Sequence, residues 1–258
     1  MISRTTIAAA TLLFATQAAQ AEHRDFGETP GRTLALVESC ARHVSVTVDP
    51  GLSGRVALSA DAANPQEIDQ IGAAEKDGAA RIGLKPGLQE CWRPSENVRF
   101  KRTLVLSLRI PAGSDVSISE SGFGDYALGA VGALTMEVSG LTMLTAESVT
   151  GNVRLNMSGA GKVTLDRVDA SRVAAELSGA GEFRVKDGRI GDLTVDDSGA
   201  ATVSVTPAVE NAKLSISGVG DIAVGGVRGQ LTRSTSGLGR IVVAGRPTAT
   251  TQADDDVN

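Results

Sequence analysis

The sequence predicts an all-β protein: a right-handed parallel β-helix, a solenoid of about 19-residue coils, with an irregular β cap at its N-terminal side. Three observations predict it. The dipeptide Ser-Gly recurs at Ser121, Ser139, Ser158, Ser178, Ser198, Ser217 and Ser236, at spacings of 18, 19, 20, 20, 19 and 19 residues. On both sides of each copy apolar and polar residues alternate, which is the period of a half-buried strand. Glycine supplies 30 of the 258 residues and aromatics only 3%, so the core must be aliphatic and the chain must turn often. Glycine is ordinarily about 7%.

Residues 1–21 read as a secretory signal peptide. Arg4 gives the positive start, Ile7 to Ala15 a short apolar stretch, and Ala19-Gln20-Ala21 a small-residue cleavage site. The mature chain is expected to begin at Glu22. No later run reaches the ~18 apolar residues of a transmembrane helix, so no transmembrane segment is expected. Export would carry Cys40 and Cys91, the only two cysteines, into an oxidising compartment. One disulfide is expected there. It would close a loop of about 52 residues, worth about 4 kcal/mol by chain entropy; two buried free thiols are the alternative. A Cys40–His43 nucleophile is disfavoured, because residues three apart on a strand face opposite ways.

Residues 22–111 are expected to form the N-terminal β cap and first coils. His43 to Val48 alternates cleanly, and Asp49-Pro50-Gly51 turns the chain. Asn64-Pro65-Gln66-Glu67 has the residues of a helix start, with Gly72 as its stop. Lys76-Asp77-Gly78 reads as a hairpin-like turn. Leu104, Leu106, Leu108 and Ile110 share one strand face. An open solenoid end exposes strand edges, so a cap is needed.

Residues 112–246 are the repetitive β-helix. Five copies read Ser-Gly-x-Gly; Ser139 begins Ser-Gly-Leu-Thr and Ser198 begins Ser-Gly-Ala-Ala. Three residues before the serines lie Ile118, Met136, Leu155, Ala175, Val195 and Leu214. Five after lie Tyr126, Leu144, Val163, Phe183, Val203, Ile222 and Ile241. Val131, Val149, Val168 and Val227 mark a third side. One such unit cannot bury its own apolar face, so each must stack on its neighbours. Rungs spaced ~4.8 Å apart give a rod of roughly 35 Å, right-handed by the crossover rule. Glycine at the corner is expected to supply a positive φ. Lys162 is placed to stack on Glu182, and Asp221 on Arg240, as a solvated ladder worth a few tenths of a kcal/mol per pair. Residues 247–258 are polar and read as a disordered tail.

These features resemble an exported bacterial family, the putative autotransporter adhesin, head GIN domain. The resemblance rests on Asp61-Ala62-Ala63-Asn64 with Ile68 to Ile71 and the Lys76-Asp77-Gly78 turn, on Leu104 to Pro111, and on the SGxG repeats with their following strands. It covers about residues 32 to 245. It implies a β-helical protein of the cell envelope with an adhesin-like role. No membrane-barrel segment follows the repeats in this sequence, so display through a barrel of its own is not expected.

No catalytic constellation emerges. Glycoside cleavage needs two carboxylates across a groove. Asp192, Asp196 and Asp197 are the only acidic cluster in the rungs. Asp197 stands where other rungs carry Val, Met, Leu or Ile, and is read as a local bulge or exposed edge. Catalytic or metal-binding carboxylates at Asp196 and Asp197 are the alternative. The repeats lack the spacing of calcium-binding nonapeptides, and no SGxG copy opens a helix that would cradle phosphate. No cofactor or metal is therefore expected. The formal charge of −5 argues against nucleic acid as a partner. Arg93, Arg99, Lys101 and Arg102, with Trp92 and Phe100, form one basic patch, either a charged surface beside the disulfide or a reader of anionic glycan or nucleic acid. The expected function is a non-enzymatic exported module of the periplasm or cell surface, adhesin-like, that binds an envelope or extracellular protein or glycan. The alternatives are an enzyme acting on envelope polysaccharide and a passive periplasmic scaffold.

Overall fold

The computed structural model describes residues 21–88, 102–245 and 249–253. The first strands are β1 (Glu22–Pro30), β2 (Thr33–Val37), β3 (His43–Val48) and β4 (Arg55–Ala62). A one-turn helix α1 (Pro65–Asp69) follows, then β5 (Ile71–Lys76), β6 (Ala79–Leu84) and β7 (Val105–Ile110). The Asn64 side chain caps α1 by accepting from the Gln66 amide at 3.0 Å. The helix stops at Asp69, short of the expected Gly72, because Ile71 already enters β5 and buries its side chain in the core. The Asp77-Gly78 turn holds both residues at positive φ, as a two-residue hairpin requires. It joins β5 to β6 antiparallel.

The repeats supply β8 (Val116–Glu120), β9 (Phe123–Val131), β10 (Leu134–Val138), β11 (Leu141–Val149) and β12 (Val153–Met157). Two long bent strands follow, β13 (Ala160–Leu177) and β14 (Ala180–Asp197). Then come β15 (Ala200–Val205), β16 (Val209–Ile216), β17 (Asp221–Val224), β18 (Gln230–Thr235), β19 (Arg240–Val243) and β20 (Ala249–Ala253). Each Ser-Gly corner separates two parallel sheets. On one, β8, β10 and β12 stack, and the stack continues through the second halves of β13 and β14 to β16 and β18. On the other, β9 and β11 lead through the first halves of β13 and β14 to β15, β17 and β19. The result is a β-solenoid of about seven turns, with the expected residues of all three sides in its core except Ile241, which is partly buried against it.

Spatial order departs from chain order at the cap. β2 pairs with both β6 and β8, and β3 with both β7 and β9. The first coil of the chain is thus the second in the stack, and the later β6 and β7 fold back outside it. Antiparallel strands then end the parallel stacking: β5 on one sheet, β4 and β1 on the other. β1 carries a bulge between Asp25 and Gly27, and its charged, exposed sequence discourages further pairing at that edge.

Two expectations need correction. None of the seven corner glycines has φ in the left-handed region. Glycine is required there by close approach: a Cβ on Gly140 would lie 1.7 Å from the Gly122 carbonyl oxygen, and one on Gly179 equally close to that of Gly159. That contact accompanies the stacking bonds of the corner, such as Ala180 N–H to Gly159 O at 3.1 Å. Residues 249–253 are not a tail. They form β20, which pairs parallel with β18 because that strand otherwise leaves one edge of backbone groups unpaired.

Candidate functional site

The Ser-Gly corner sets out parallel columns of side chains along the rod. All seven serines are exposed. The residue between the two glycine positions is exposed and apolar in every rung: Phe123, Leu141, Ala160, Ala180, Ala200, Val219 and Leu238. Exposure reaches 45% at Phe123, 49% at Leu141, 59% at Val219 and 90% at Leu238. Strand alternation explains the placement, since the residues just inside each end of the corner point into the core.

The residue before the serine points inward in the first six rungs, and its counterpart in the last, Thr235, is exposed. This column reads Glu120, Val138, Met157, Leu177, Asp197, Ile216 and Thr235, paired rung to rung in register. The bulge or exposed edge expected at Asp197 is absent. Asp197 stacks between Leu177 and Ile216 and is 0% exposed. Its Oδ1 accepts from the Gly199 amide at 3.0 Å, while its Oδ2 finds no hydrogen-bond partner. Asp196 points the opposite way, into solvent. The two carboxylates therefore sit on opposite faces of one strand and do not converge on a shared substrate position.

Glu120 is the second acid in this column and is 8% exposed. Its carboxylate accepts the Ser39 amide at 2.8 Å and hydrogen-bonds the Tyr126 hydroxyl. Burial pushes the Glu120 carboxyl up from its ordinary value, aided by the Glu38 charge and opposed by the Ser39 and Tyr126 bonds. Burial, then the Glu120 charge, pushes the Tyr126 phenol up as well. Glu38 returns the clasp: its carboxylate accepts the Ser121 amide at 3.0 Å and the Ser121 hydroxyl at 2.9 Å. Two glutamates thus join the first coil to the repeats, where later corners are joined rung to rung by backbone bonds such as Ser178 N–H to Met157 O at 3.0 Å. Glu38 and Cys40 both hold positive φ in this turn. A groove of about 350 Å³ opens beside the clasp, lined by Glu38, Glu120, Glu137 and the serines at 119, 121, 139 and 158. Reading the column one rung further toward the cap would have found Glu120, which precedes Ser121 as Val138 precedes Ser139.

Other faces are neutralised rung to rung. The expected Lys162–Glu182 pair forms at 2.8 Å and Asp221–Arg240 at 3.7 Å. Arg167 reaches Asp187 at 2.8 Å, Lys186 reaches Asp166 at 2.7 Å, and Arg184 also contacts Glu182. On the flank that leads into some of the corners, side chains take over backbone bonding. Asn152 Oδ1 accepts the Arg172 amide and Asn211 Oδ1 that of Gln230, both at 3.0 Å.

Cys40 is buried, and Cys91 lies outside the described residues, as do residues 1–20 of the expected signal peptide and the basic patch apart from Arg102. His43 Nδ1 lies 3.1 Å from Asp125 Oδ2, on the exposed side of its strand. Among the described residues no group of three His, Cys, Asp or Glu side chains is arranged to hold a metal ion. No described helix is long and apolar enough to cross a membrane.

A family model, putative auto-transporter adhesin, head GIN domain, matches residues 40–247. The chain belongs to this family. Among solved structures, it is similar to a putative lipid binding protein from Parabacteroides distasonis, with 13% identity, a TM-score of 0.52, and coverage of 91% of this chain and 98% of that one. It is also similar to a putative adhesin from the same species, with 12% identity, a TM-score of 0.52, and coverage of 92% and 98%. At such identities the likeness shows the GIN-domain solenoid fold alone. No curated protein matches the chain.

Proposed function

We propose that this GIN-domain protein is an exported, non-enzymatic interaction module that binds an envelope or extracellular partner through its solenoid surface, in an adhesin-like role. One observation carries the reading. The serine corner exposes an apolar column through all seven rungs, whereas the charges of the neighbouring faces pair with one another. Contiguous exposed apolar surface is characteristic of interaction sites. The division of Asp196 and Asp197 between opposite faces weighs against the polysaccharide-cleaving alternative. Export through residues 1–21 and a Cys40–Cys91 disulfide belong to the same proposal; the burial of Cys40, with no free thiol among the described cysteines, supports the disulfide.

The test is protease accessibility in intact cells against cells with a permeabilised envelope. Cleavage in intact cells supports surface binding. Protection until permeabilisation would confine the protein to the periplasm and replace adhesion with a scaffold role. Turnover of envelope polysaccharide that disappears on Asp197→Ala, with folding intact, would overturn the non-enzymatic reading.

A further inference from the structure

Four of the large exposed apolar side chains of the repeats gather on one line. Phe123, Leu141, Val219 and Leu238 occupy the column between the glycine positions, and Met143 and Val242 extend it along the adjoining strands. Alanines fill the same column in the three middle rungs, so the stripe is apolar from end to end and shallower at its centre.

Charge is distributed unevenly about this stripe. On the strand that follows the glycines and on the third side, carboxylates of one rung meet cations of the next. Beside the serines the balance fails. Glu137 and Asp196, two residues before their serines, are exposed, and neither forms an ion pair among the described residues. Glu176 in the same column approaches Arg154 only at 3.7 Å. Glu38 lines the groove at the first corner with its carboxylate held by Ser121, whereas Glu120 is buried and does not border the strip. The corner therefore offers an apolar strip bordered on one side by unneutralised acid, with a row of hydroxyls between.

We infer that this corner docks a basic amphipathic α-helix of a partner protein, laid along the solenoid axis. The inference rests on the reading of the protein as an interaction module and names the class of partner. Rungs repeat every ~4.8 Å, so the stripe runs about 29 Å over seven rungs. A helix of about 20 residues is about 30 Å long, with one apolar contact per turn of about 5.4 Å, close to the rung spacing. Its apolar face meets the exposed column, and Lys or Arg at its flank meets Glu137 and Asp196. An extended strand presents same-face residues only every ~6.7 Å and falls out of step within a few rungs. Helix-in-groove recognition of this kind reads apolar anchors and flanking charge together.

The experiment titrates the full chain with a fluorescent synthetic helix of about 20 residues, with leucine on one face and lysine beside it. A second peptide keeps the apolar face and replaces lysine with glutamate. The lysine helix is expected to bind at least about tenfold more tightly, and to weaken as salt rises. Glu137→Lys with Asp196→Lys is expected to lower its affinity at least about tenfold, as is Leu141→Ser, whereas Glu210→Lys on another face leaves it unchanged. Equal binding of the two peptides would overturn the inference. So would indifference to the double charge reversal, binding only to phosphatidylglycerol vesicles, or a chain dimer that Leu141→Ser dissociates. Adhesion of protein-coated beads to cells is measured in parallel. Adhesion retained while neither helix binds rejects the helix and leaves the interaction module standing; loss of both rejects both.

Discussion

Asp197 Oδ2 lies over the Cα of Gly220 in the next rung, where a Cβ would sit 1.8 Å from it. The relationship recurs with apolar partners: Met157 lies over Gly181 and Ile216 over Gly239. The second glycine of the motif thus leaves room for the inward side chain of the preceding rung and for its backbone, since the same Cβ would lie 2.3 Å from Ala201 O at Gly220 and 2.2 Å from Gly220 O at Gly239. Gly220→Ala is expected to destabilise the fold by at least about 2 kcal/mol through overpacking, read as a shift in the denaturant midpoint. Asp197→Val should do the reverse. It removes a buried carboxylate oxygen without a partner, and the net gain is about 1 kcal/mol after the Gly199 amide loses its acceptor. A loss of stability in Asp197→Val would show that the acid is held by something other than its packing.

The first glycine of the motif sits tighter against backbone. At Gly179 a methyl group would meet backbone alone, 1.7 Å from the Gly159 oxygen against 2.3 Å from the nearest backbone oxygen at Gly220, and backbone cannot rotate away. Gly179→Ala is expected to cost more than Gly220→Ala, about 3 kcal/mol or more. Ala180→Ser, one residue on and exposed, should stay within about 0.5 kcal/mol of the parent. Thermal unfolding of the three variants ranks them directly.

Much of this architecture was legible in the chain because its rungs repeat. Once the serines are aligned, Tyr126, Phe183 and Ile222 fall into one buried column, and Lys162 falls opposite Glu182. The turn at Asp77-Gly78 and the cap at Asn64 were legible from local chemistry alone. The order of the first coils was not. Nothing in β2 or β3 records that β6 and β7 return to cover them, since that order depends on long-range pairing. Glu67 was hidden for a related reason: a glutamate in a one-turn helix reads as solvated until its acceptor role toward residues 103–104 is seen. Asp197 is anomalous in the sequence, but a bulge or exposed edge puts it on the wrong side of its strand. An acid in an apolar column suggests a broken pattern, whereas here the column continues unbroken through it.

Glu67 is buried in the cap, and its carboxylate accepts the Thr103 amide at 2.8 Å, the Leu104 amide at 2.7 Å and the Thr103 hydroxyl at 3.1 Å. It therefore ties α1 to the start of β7. Glu67→Ala leaves two backbone donors without that acceptor and should destabilise the chain by about 2–4 kcal/mol. Glu67→Gln keeps one acceptor oxygen and should recover about half of the loss. Equal effects of the two substitutions in chemical denaturation would mean that the side chain acts by filling space.

Two glutamates should move stability in opposite directions with pH. Glu182 is held below its ordinary value by Lys162 and then Arg184. Its contribution is present above the unfolded value of 4.5 and is lost as pH falls through the lower folded value. Glu120 is raised by burial, so its contribution is full below 4.5 and is lost as pH rises through the higher folded value. Glu120→Gln, whose amide oxygen can still accept the Ser39 amide, should therefore be more stable than the parent at pH 7, with the gap closing as pH falls below 4.5. Glu182→Gln should be slightly less stable at pH 7, by an amount that salt reduces and acid removes. Denaturant midpoints for both variants at pH 7 and pH 4 test the pair. If Glu120→Gln were the less stable at pH 7, the Ser39 bond to the ionised carboxylate would outweigh the cost of burying it, and the clasp at the cap would be an ionic one.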